Sequence, residues 1–404
     1  MNILLIHPAG LSQFEHMAVI LNKNPAMHVV LLTKNKNLQK WNGIHVVTYD
    51  CNEPDESDPI RSFPRRALCE AEAVAQALTA MKECDSFVPD IIVGHTGWGS
   101  LLYAKSVFPE ARMIGYCEWY FSEQEQYRRI WRREMSPDEY RIYTQAKNAP
   151  HQLQLNACDA AYSPTKWQWQ QYPEQYRNKI SVIHDGIDTR FYSPASQFKA
   201  DLSGWNPGFS EKGEIVTYVS RGFEPTRCFP AFMEAIRILL KRRPRCHVMI
   251  AGNNQSYYGR PPENAETWRQ IEEEKGGYDP SRVHFVGWLS RTRFLSLLRI
   301  SDVHVYLTIP YVLSWSMVQA MSAGCCLVGS ASPPVEEVVQ DGINGLLVDY
   351  QSPSEIAERI EEALSDASLR RKLGNAARET ILERYRLEDC LQKQMDLLFG
   401  KKTG

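Results

Sequence analysis

Two arginines carry the clearest chemical suggestion in this chain. Arg221 follows the apolar run Ile215–Ser220, and Arg227 stands just ahead of the helical pattern that begins at Phe229. Cations at a strand end beside a helix start can hold a diphosphate and neutralise its charge as it departs. No Asp-x-Asp stands at a strand end, so protein cations rather than a divalent ion would have to do that work. Arg227 reads as an exposed side chain whose loss the fold should tolerate.

The first half offers a second group. His95 follows the run Ile91–Gly94, and Gly97-Trp98-Gly99 opens the segment beyond it. A lone histidine is either a structural residue with satisfied hydrogen bonds or a proton-transfer group, and the sequence leaves both open. Glu118 stands at the end of the run Met113–Tyr116, where a carboxylate could accept a proton or be a plain surface charge. The adjoining Trp119-Tyr120-Phe121 favours an aromatic wall against a ligand. Gly10, with Leu11 and Ser12, predicts a tight loop before the first helix, and no fuller dinucleotide fingerprint follows, which argues against a nicotinamide enzyme. The stretch Gln126–Arg133 is basic and aromatic at helical spacing. It fits a solvated helix face, or contact with a membrane surface or an anionic acceptor.

These residues need a frame. Short apolar runs at 2–6, 28–32, 45–48, 91–94, 113–116 and 180–183 alternate with loops and amphipathic stretches, as do 215–219, 246–250, 283–286, 303–307 and 327–329. Strands alternating with helices predict parallel sheets covered on both faces, whose ligands lie beyond the carboxyl ends of the strands. Between Ser193 and Lys212 the pattern lapses into Ser, Pro, Gly and Asn, a linker composition. A length of 404 residues suits two domains of about 100–200 each. Residues Ser354–Leu398 predict two or three surface helices.

Composition excludes several classes. A net charge of −2 gives no general reason to bind nucleic acid. The ten cysteines include no Cys-x-x-Cys pair, so neither metal-site spacing nor a disulfide framework is expected, and Cys325-Cys326 reads as the start of a buried strand. The N-terminus lacks the basic and long apolar regions of a signal peptide, which makes a reducing cytosol the expected compartment.

Taken in order, Gly10–His16, Val93–Gly99, Ile183–Asp188, Ser220–Gly222, Phe285–Trp288 and Ser301–Gly345 resemble the family 4 glycosyltransferases of the GT-B fold. Gly10, Gln13, Phe14 and His16 resemble the opening of one bacterial branch of that family. The resemblance implies a nucleotide-diphosphate-sugar donor on the C-terminal half, its pyrophosphate gripped by Arg221 and Arg227, the latter where the family has Lys. Two family glutamates seven residues apart correspond to Tyr311 and Gln319. Gln319 can still bond a ribose diol, without charge and more weakly. Tyr311 could stack on a sugar, offer a hydroxyl, or simply pack. Ser314 and Ser316, flanking Trp315, lie where family loops approach the phosphates. Two family glycines are Pro333 and Pro334 here, which removes backbone donors. The resemblance also places Gly287 and Trp288 near the base, Gly10 towards the donor, and Glu118 where many members have a histidine facing the donor sugar.

The expectation is therefore an α/β chain of GT-B type, with two doubly wound Rossmann-like domains facing each other across a cleft. The acceptor-side domain is expected over 1–195, the donor domain over 196–385, and a C-terminal helix over 386–404 packing back towards the first domain. The resemblance implies sugar transfer with retention to a hydroxyl acceptor, a glycan or a lipid-linked or surface-polysaccharide precursor. Arg221, Arg227, Glu118 and His95 are the catalytic candidates, with no metal and no cofactor. The chain is expected in the cytoplasm, with possible contact at the inner face of the membrane. Two alternatives stay open: a catalytically silent binder of a nucleotide sugar or partner enzyme, favoured by Tyr311, Gln319, Pro333 and Pro334, and a sugar-nucleotide epimerase.

Overall fold

The computed structural model describes residues 1–38, 40–52, 57–194 and 213–401. They form two compact units, Met1–Asp185 with Glu388–Gly404, and Gly186–Leu387. Most of the linker read over Ser193–Lys212, including the expected boundary at 195, lies outside the described residues.

The first unit is built on strands β1 (Asn2–Ile6), β2 (His28–Thr33), β3 (Lys40–Trp41), β4 (Ile44–Thr48), β5 (Ile91–His95), β6 (Arg112–Tyr116), β7 (Ala160–Ser163) and β8 (Ile180–Val182). Their order is β3-β4-β2-β1-β5-β6-β7-β8, parallel except for the short antiparallel edge pair β3-β4. The chain winds outward in both directions from β1 and β5, which lie side by side in register Ile3↔Ile91 to Ile6↔Gly94. That is the switch point, where loops diverge and a crevice opens beyond the strand ends. β1 and β5 are apolar along almost their whole length because helices cover both faces.

Two long helices of this unit were not read from the sequence, Pro59–Glu83 and Pro137–Ala157. Each begins with proline at its first position, where a missing N–H costs nothing. Asp58 accepts from the Ile60 N–H at 2.8 Å, and Ser136 forms a capping box with Glu139. Pro64 and Pro150 inside them suggest helix ends, but packing of the two helices on each other and on the sheet overrides that signal. The last helix, Leu387–Leu398, is held to this unit by Arg112, which donates to the carbonyls of Leu397 and Leu398 at 3.1 Å each, and by Gln394, which donates to the His184 carbonyl at 3.1 Å.

The second unit carries β9 (Glu214–Gly222), β10 (Cys246–Asn253), β11 (Val283–Gly287), β12 (Val303–Tyr306), β13 (Leu327–Ser330) and β14 (Leu346–Val348). All are parallel, in the order β11-β10-β9-β12-β13-β14, with the switch point between β9 and β12. Cys325 and Cys326 are buried just ahead of β13. Helices Pro353–Ser365 and Ala367–Arg384 are not purely superficial. Ile356, Ile360, Leu373, Ala377 and Ile381 are fully buried.

Candidate active site

Near the end of β9 the Ser220 hydroxyl donates to the Gly222 carbonyl at 2.8 Å, where the pairing with β10 shifts register. Glu224, fully buried, then accepts the N–H groups of Tyr258 at 3.1 Å and Gly259 at 2.6 Å. The loop after β10 is thereby fastened beside the end of β9. Glu224, Tyr257 and Tyr258 were not singled out from the sequence, since nothing local marks a carboxylate that serves a loop some 34 residues away.

The arginine pair divides. Arg221 is exposed, its guanidinium 4.1 Å from the centre of the Tyr257 ring. Arg227 is not the exposed residue that the sequence suggests: it is 5% exposed. The single 3₁₀ turn Pro225–Arg227 and the left-handed Cys228, at φ 53°, turn its side chain inward before the helix Phe229–Arg242 starts. Its Nη1 donates to the Tyr306 hydroxyl at 3.2 Å, the Thr308 hydroxyl at 2.8 Å and the Val312 carbonyl at 3.2 Å. Burial opposes its charge, but Tyr306, Tyr258, Tyr311 and Tyr218 around it outweigh that, and its pKa rises above the ordinary arginine value. Among the described residues no carboxylate pairs with it. A buried cation in that condition favours an anionic ligand.

The Tyr306 hydroxyl also accepts the Ser314 N–H at 2.9 Å, so the arginine is tied to the start of the helix Trp315–Ser322. Ser314 occupies the N-cap position, but its side chain makes no capping bond. The first-turn N–H groups there suit an anion. Ser316 lies in that first turn, partly buried, and Trp315 is exposed. Gln319 sits one turn further on, partly exposed, and its side-chain amide bonds to nothing among the described residues. Tyr311 is buried with its ring against Tyr258, 5.4 Å between centres, which makes it part of the packing around Arg227 rather than an open stacking surface. Gly287 ends β11 at φ 71°, and Trp288 beyond it is 68% exposed. Pro333 and Pro334 open the short helix after β13, and no backbone N–H is available from either.

In the first unit, Gly10 adopts φ 103°, a conformation that favours glycine, and its N–H donates to the His7 carbonyl at 3.3 Å. His7 follows β1; its Nδ1 accepts the Ala9 N–H at 3.2 Å, and burial, reinforced by His95, lowers its pKa to about 3. His95 ends β5 and is buried, with Nδ1 accepting the Gly97 N–H at 2.8 Å. In the neutral ring the proton is therefore on Nε2, which lies 3.4 Å from the Glu118 carboxylate. A Cβ on Gly97 would come within 2.6 Å of the His95 ring, so that glycine is what lets the histidine lie flat under its loop. Glu118 is anchored through its carbonyl, which accepts from Gln168 at 2.7 Å, while its side chain is one-third exposed. The structure thus brings His95, Glu118 and the Gly10 loop to one strand edge.

The aromatic wall is corrected. Trp119 and Tyr120 are buried, Trp119 against Tyr127 and Trp167, and Tyr120 against Tyr172, so only Phe121 keeps partial exposure. The basic stretch is also less bare than its sequence suggests. Arg128 and Arg129 both pair with Glu125, and Arg132 reaches Glu134 at 4.0 Å.

Comparison with known proteins adds the family context. Residues 25–192 match the model described as glycosyl transferase family 4 group, and residues 203–380 match glycosyl transferases group 1. A D-inositol 3-phosphate glycosyltransferase of Corynebacterium glutamicum is 24% identical over 204 residues, 50% of this chain and 47% of the relative. An N-acetyl-alpha-D-glucosaminyl L-malate synthase of Bacillus anthracis is 24% identical over 231 residues, 56% of each chain. The chain thus spans about half the length of the curated relatives it matches. Among solved structures, a glycosyltransferase from Rickettsia africae superposes with a TM-score of 0.72 at 16% identity, covering 99% of this chain and 98% of that one. Anabaena Alr3699/HepE in complex with UDP gives 0.71 at 14% identity, covering 99% of each.

Proposed function

We propose that this chain, which belongs to the family 4 glycosyltransferases, transfers a glycosyl group from a nucleotide-diphosphate sugar to an acceptor hydroxyl. Its two Rossmann-like units have the GT-B fold. The observation that carries the reading is Arg227, a buried cation paired with no carboxylate among the described residues, joined through Tyr306 to an uncapped helix start. A diphosphate supplies the missing negative charge, and HepE of the same fold is known with UDP bound. On this reading Arg227 and the helix N–H groups hold the diphosphate, Arg221 screens it from the exposed side, and Gln319 meets the ribose.

The reaction breaks the bond between the anomeric carbon and the diphosphate oxygen and forms one to the acceptor oxygen. With retention, the acceptor approaches from the side of the leaving group, and its proton passes to a phosphate oxygen of the departing nucleotide. Such a step draws on charge stabilisation and positioning more than on a strong base. His95 and Glu118 then orient hydroxyl groups. The acceptor is a glycan or a lipid-linked or surface-polysaccharide precursor, and the reaction is assigned to the cytoplasm, with any membrane contact at the inner face. Among the described residues no helix is long and apolar enough to cross a membrane.

The test is a panel of nucleoside diphosphates and their mass-tagged sugars, with and without a chelator. One base should raise the melting temperature, and its sugar should be transferred or slowly hydrolysed at a rate that chelation leaves unchanged. Tight nucleotide binding without turnover under any condition would replace the transferase by a silent binder.

A further inference from the structure

The helix Pro137–Ala157 sets Tyr143, Lys147 and His151 at successive i, i+4 positions, hence on one face. The Lys147 ammonium lies 3.6 Å from the centre of the Phe121 ring, 5.2 Å from Phe63 and 5.3 Å from Tyr143. Arg132 also covers Tyr143, its guanidinium carbon 5.0 Å from the ring centre, and its Nε is buried with no partner among the described residues. His151, one turn beyond Lys147, is 3% exposed and stacks on Phe63 with ring centres 6.1 Å apart. Neither of its nitrogens has a hydrogen-bond partner among the described residues.

These groups leave a physical deficit. Aromatic faces attract a desolvated ammonium, but by less than burying it costs. Burial accordingly lowers the Lys147 pKa; Tyr143 partly counters this, while Arg132 and Arg66 push in the same direction as burial. The Tyr143 hydroxyl, which burial alone would raise, is held below its ordinary value by Lys147 and Arg132. Arg132 reaches Glu134 at 4.0 Å and Lys147 bonds the Tyr143 hydroxyl, but no carboxylate pairs with Lys147 among the described residues, and the buried imidazole beside it has both nitrogens unused. An oxyanion supplies both the negative charge and the acceptor atoms that are missing.

We infer that Lys147, Arg132 and His151 form an oxyanion site on the first unit, which takes a carboxylate or phosphate carried by the acceptor. Assignment to the acceptor rests on the transferase reading; the oxyanion site itself does not. The test titrates the full chain with inorganic phosphate and, separately, with succinate, following the His151 imidazole resonances. A saturable shift with either anion is expected, with affinity at least tenfold weaker in Lys147→Met and in Arg132→Gln and nucleoside diphosphate binding unchanged in both. Response to phosphate alone assigns a phosphorylated acceptor, and response to succinate alone a carboxylate. Should Lys147→Met fail to fold, the partly exposed Arg132→Gln decides. Absence of a saturable shift with both anions, or equal affinity in the variants and the natural chain, would overturn the site. Failure of transfer with every nucleotide sugar would instead remove the transferase reading and leave the His151 titration intact.

Discussion

At the switch point of the first sheet the buried groups are imidazoles, with His7 and His95 each accepting a backbone N–H and His95 leaning on Glu118. At that of the second sheet the buried cation is a guanidinium, Arg227, held among the described residues by neutral oxygens alone. An imidazole can shed its proton to avoid the cost of burial, whereas an arginine cannot. Burial at the first edge is therefore met by a neutral His7, whereas the second edge, on the proposed reading, is completed by the donor diphosphate. Two sheets with the same winding rule have been given opposite electrical tasks.

The largest way to expose that difference is acid. Burial lowers the pKa of His7 and His151 to about 3 and of His184 to about 4, all in the first unit. In the second unit burial lowers His304 to about 3 and also depresses the more accessible His247 and His284. An unfolded chain protonates each near pH 6.5, so below that the unfolded state binds more protons. Stability is then complete above about pH 6.5 and falls as the pH drops towards 3–4, by about 1.4 kcal/mol per pH unit per histidine. At pH 5 three such histidines cost the first unit at most about 6 kcal/mol, against about 2 for His304 plus the smaller contributions of His247 and His284. Hydrogen exchange on the full chain at pH 7 and pH 5 should show the first unit losing protection more steeply. Equal losses in the two units would mean that these imidazoles are solvated in solution, and the contrast between the edges would fail.

The next largest effect separates the two arginines. Arg227→Ala should weaken nucleoside diphosphate binding about 100-fold, near 3 kcal/mol, because charge-assisted bonds made in a buried site are lost. It should also lower the melting temperature by a few degrees, since Tyr306, Thr308 and Val312 lose their donor. Arg221→Ala removes an exposed side chain stacked on Tyr257 and should cost about tenfold or less, with little change in melting temperature. Calorimetric titration of both variants checks this. Equal effects on affinity would show that burial confers no advantage on Arg227.

The residue types on both sides of this contrast could partly be read in the chain beforehand, but the burial of Arg227 and the place of His7 could not, for identifiable reasons. The parallel strands were legible because buried strands are continuous apolar runs, as at Ile3–Ile6 in β1. Arg221 and Arg227 were legible by type and by their place at a strand end. The inward turn of Arg227 was not, because it depends on a 3₁₀ turn and a left-handed Cys228, a conformation that non-glycine residues rarely signal. Lys147 and His151 were not singled out because no helix was read over 137–157, where Pro150 obscures one. With the helix accepted, their spacing from Tyr143 would have marked a common face. Trp119 and Tyr120 misled in the other direction, since aromatic residues serve cores as readily as binding walls.

The smallest expected effect concerns Gln319 and sharpens the comparison from the side of the ligand. Its amide lies one turn into the helix tied to Arg227 and bonds to nothing among the described residues. If it meets the ribose diol, Gln319→Ala should weaken donor binding by about 1 kcal/mol, roughly fivefold, while leaving the melting temperature of the empty protein unchanged. Gln319→Glu should keep or improve affinity, because a carboxylate accepts two hydroxyl protons more strongly than an amide oxygen does. The added charge stands near the diphosphate, but Arg227 brings a positive charge that no carboxylate among the described residues pairs with, and the two should largely offset. Loss of affinity in the glutamate variant would indicate that the buried arginine is already neutralised without a ligand. Indifference to both substitutions would place the ribose elsewhere and leave Arg227 as the sole anchor of the nucleotide.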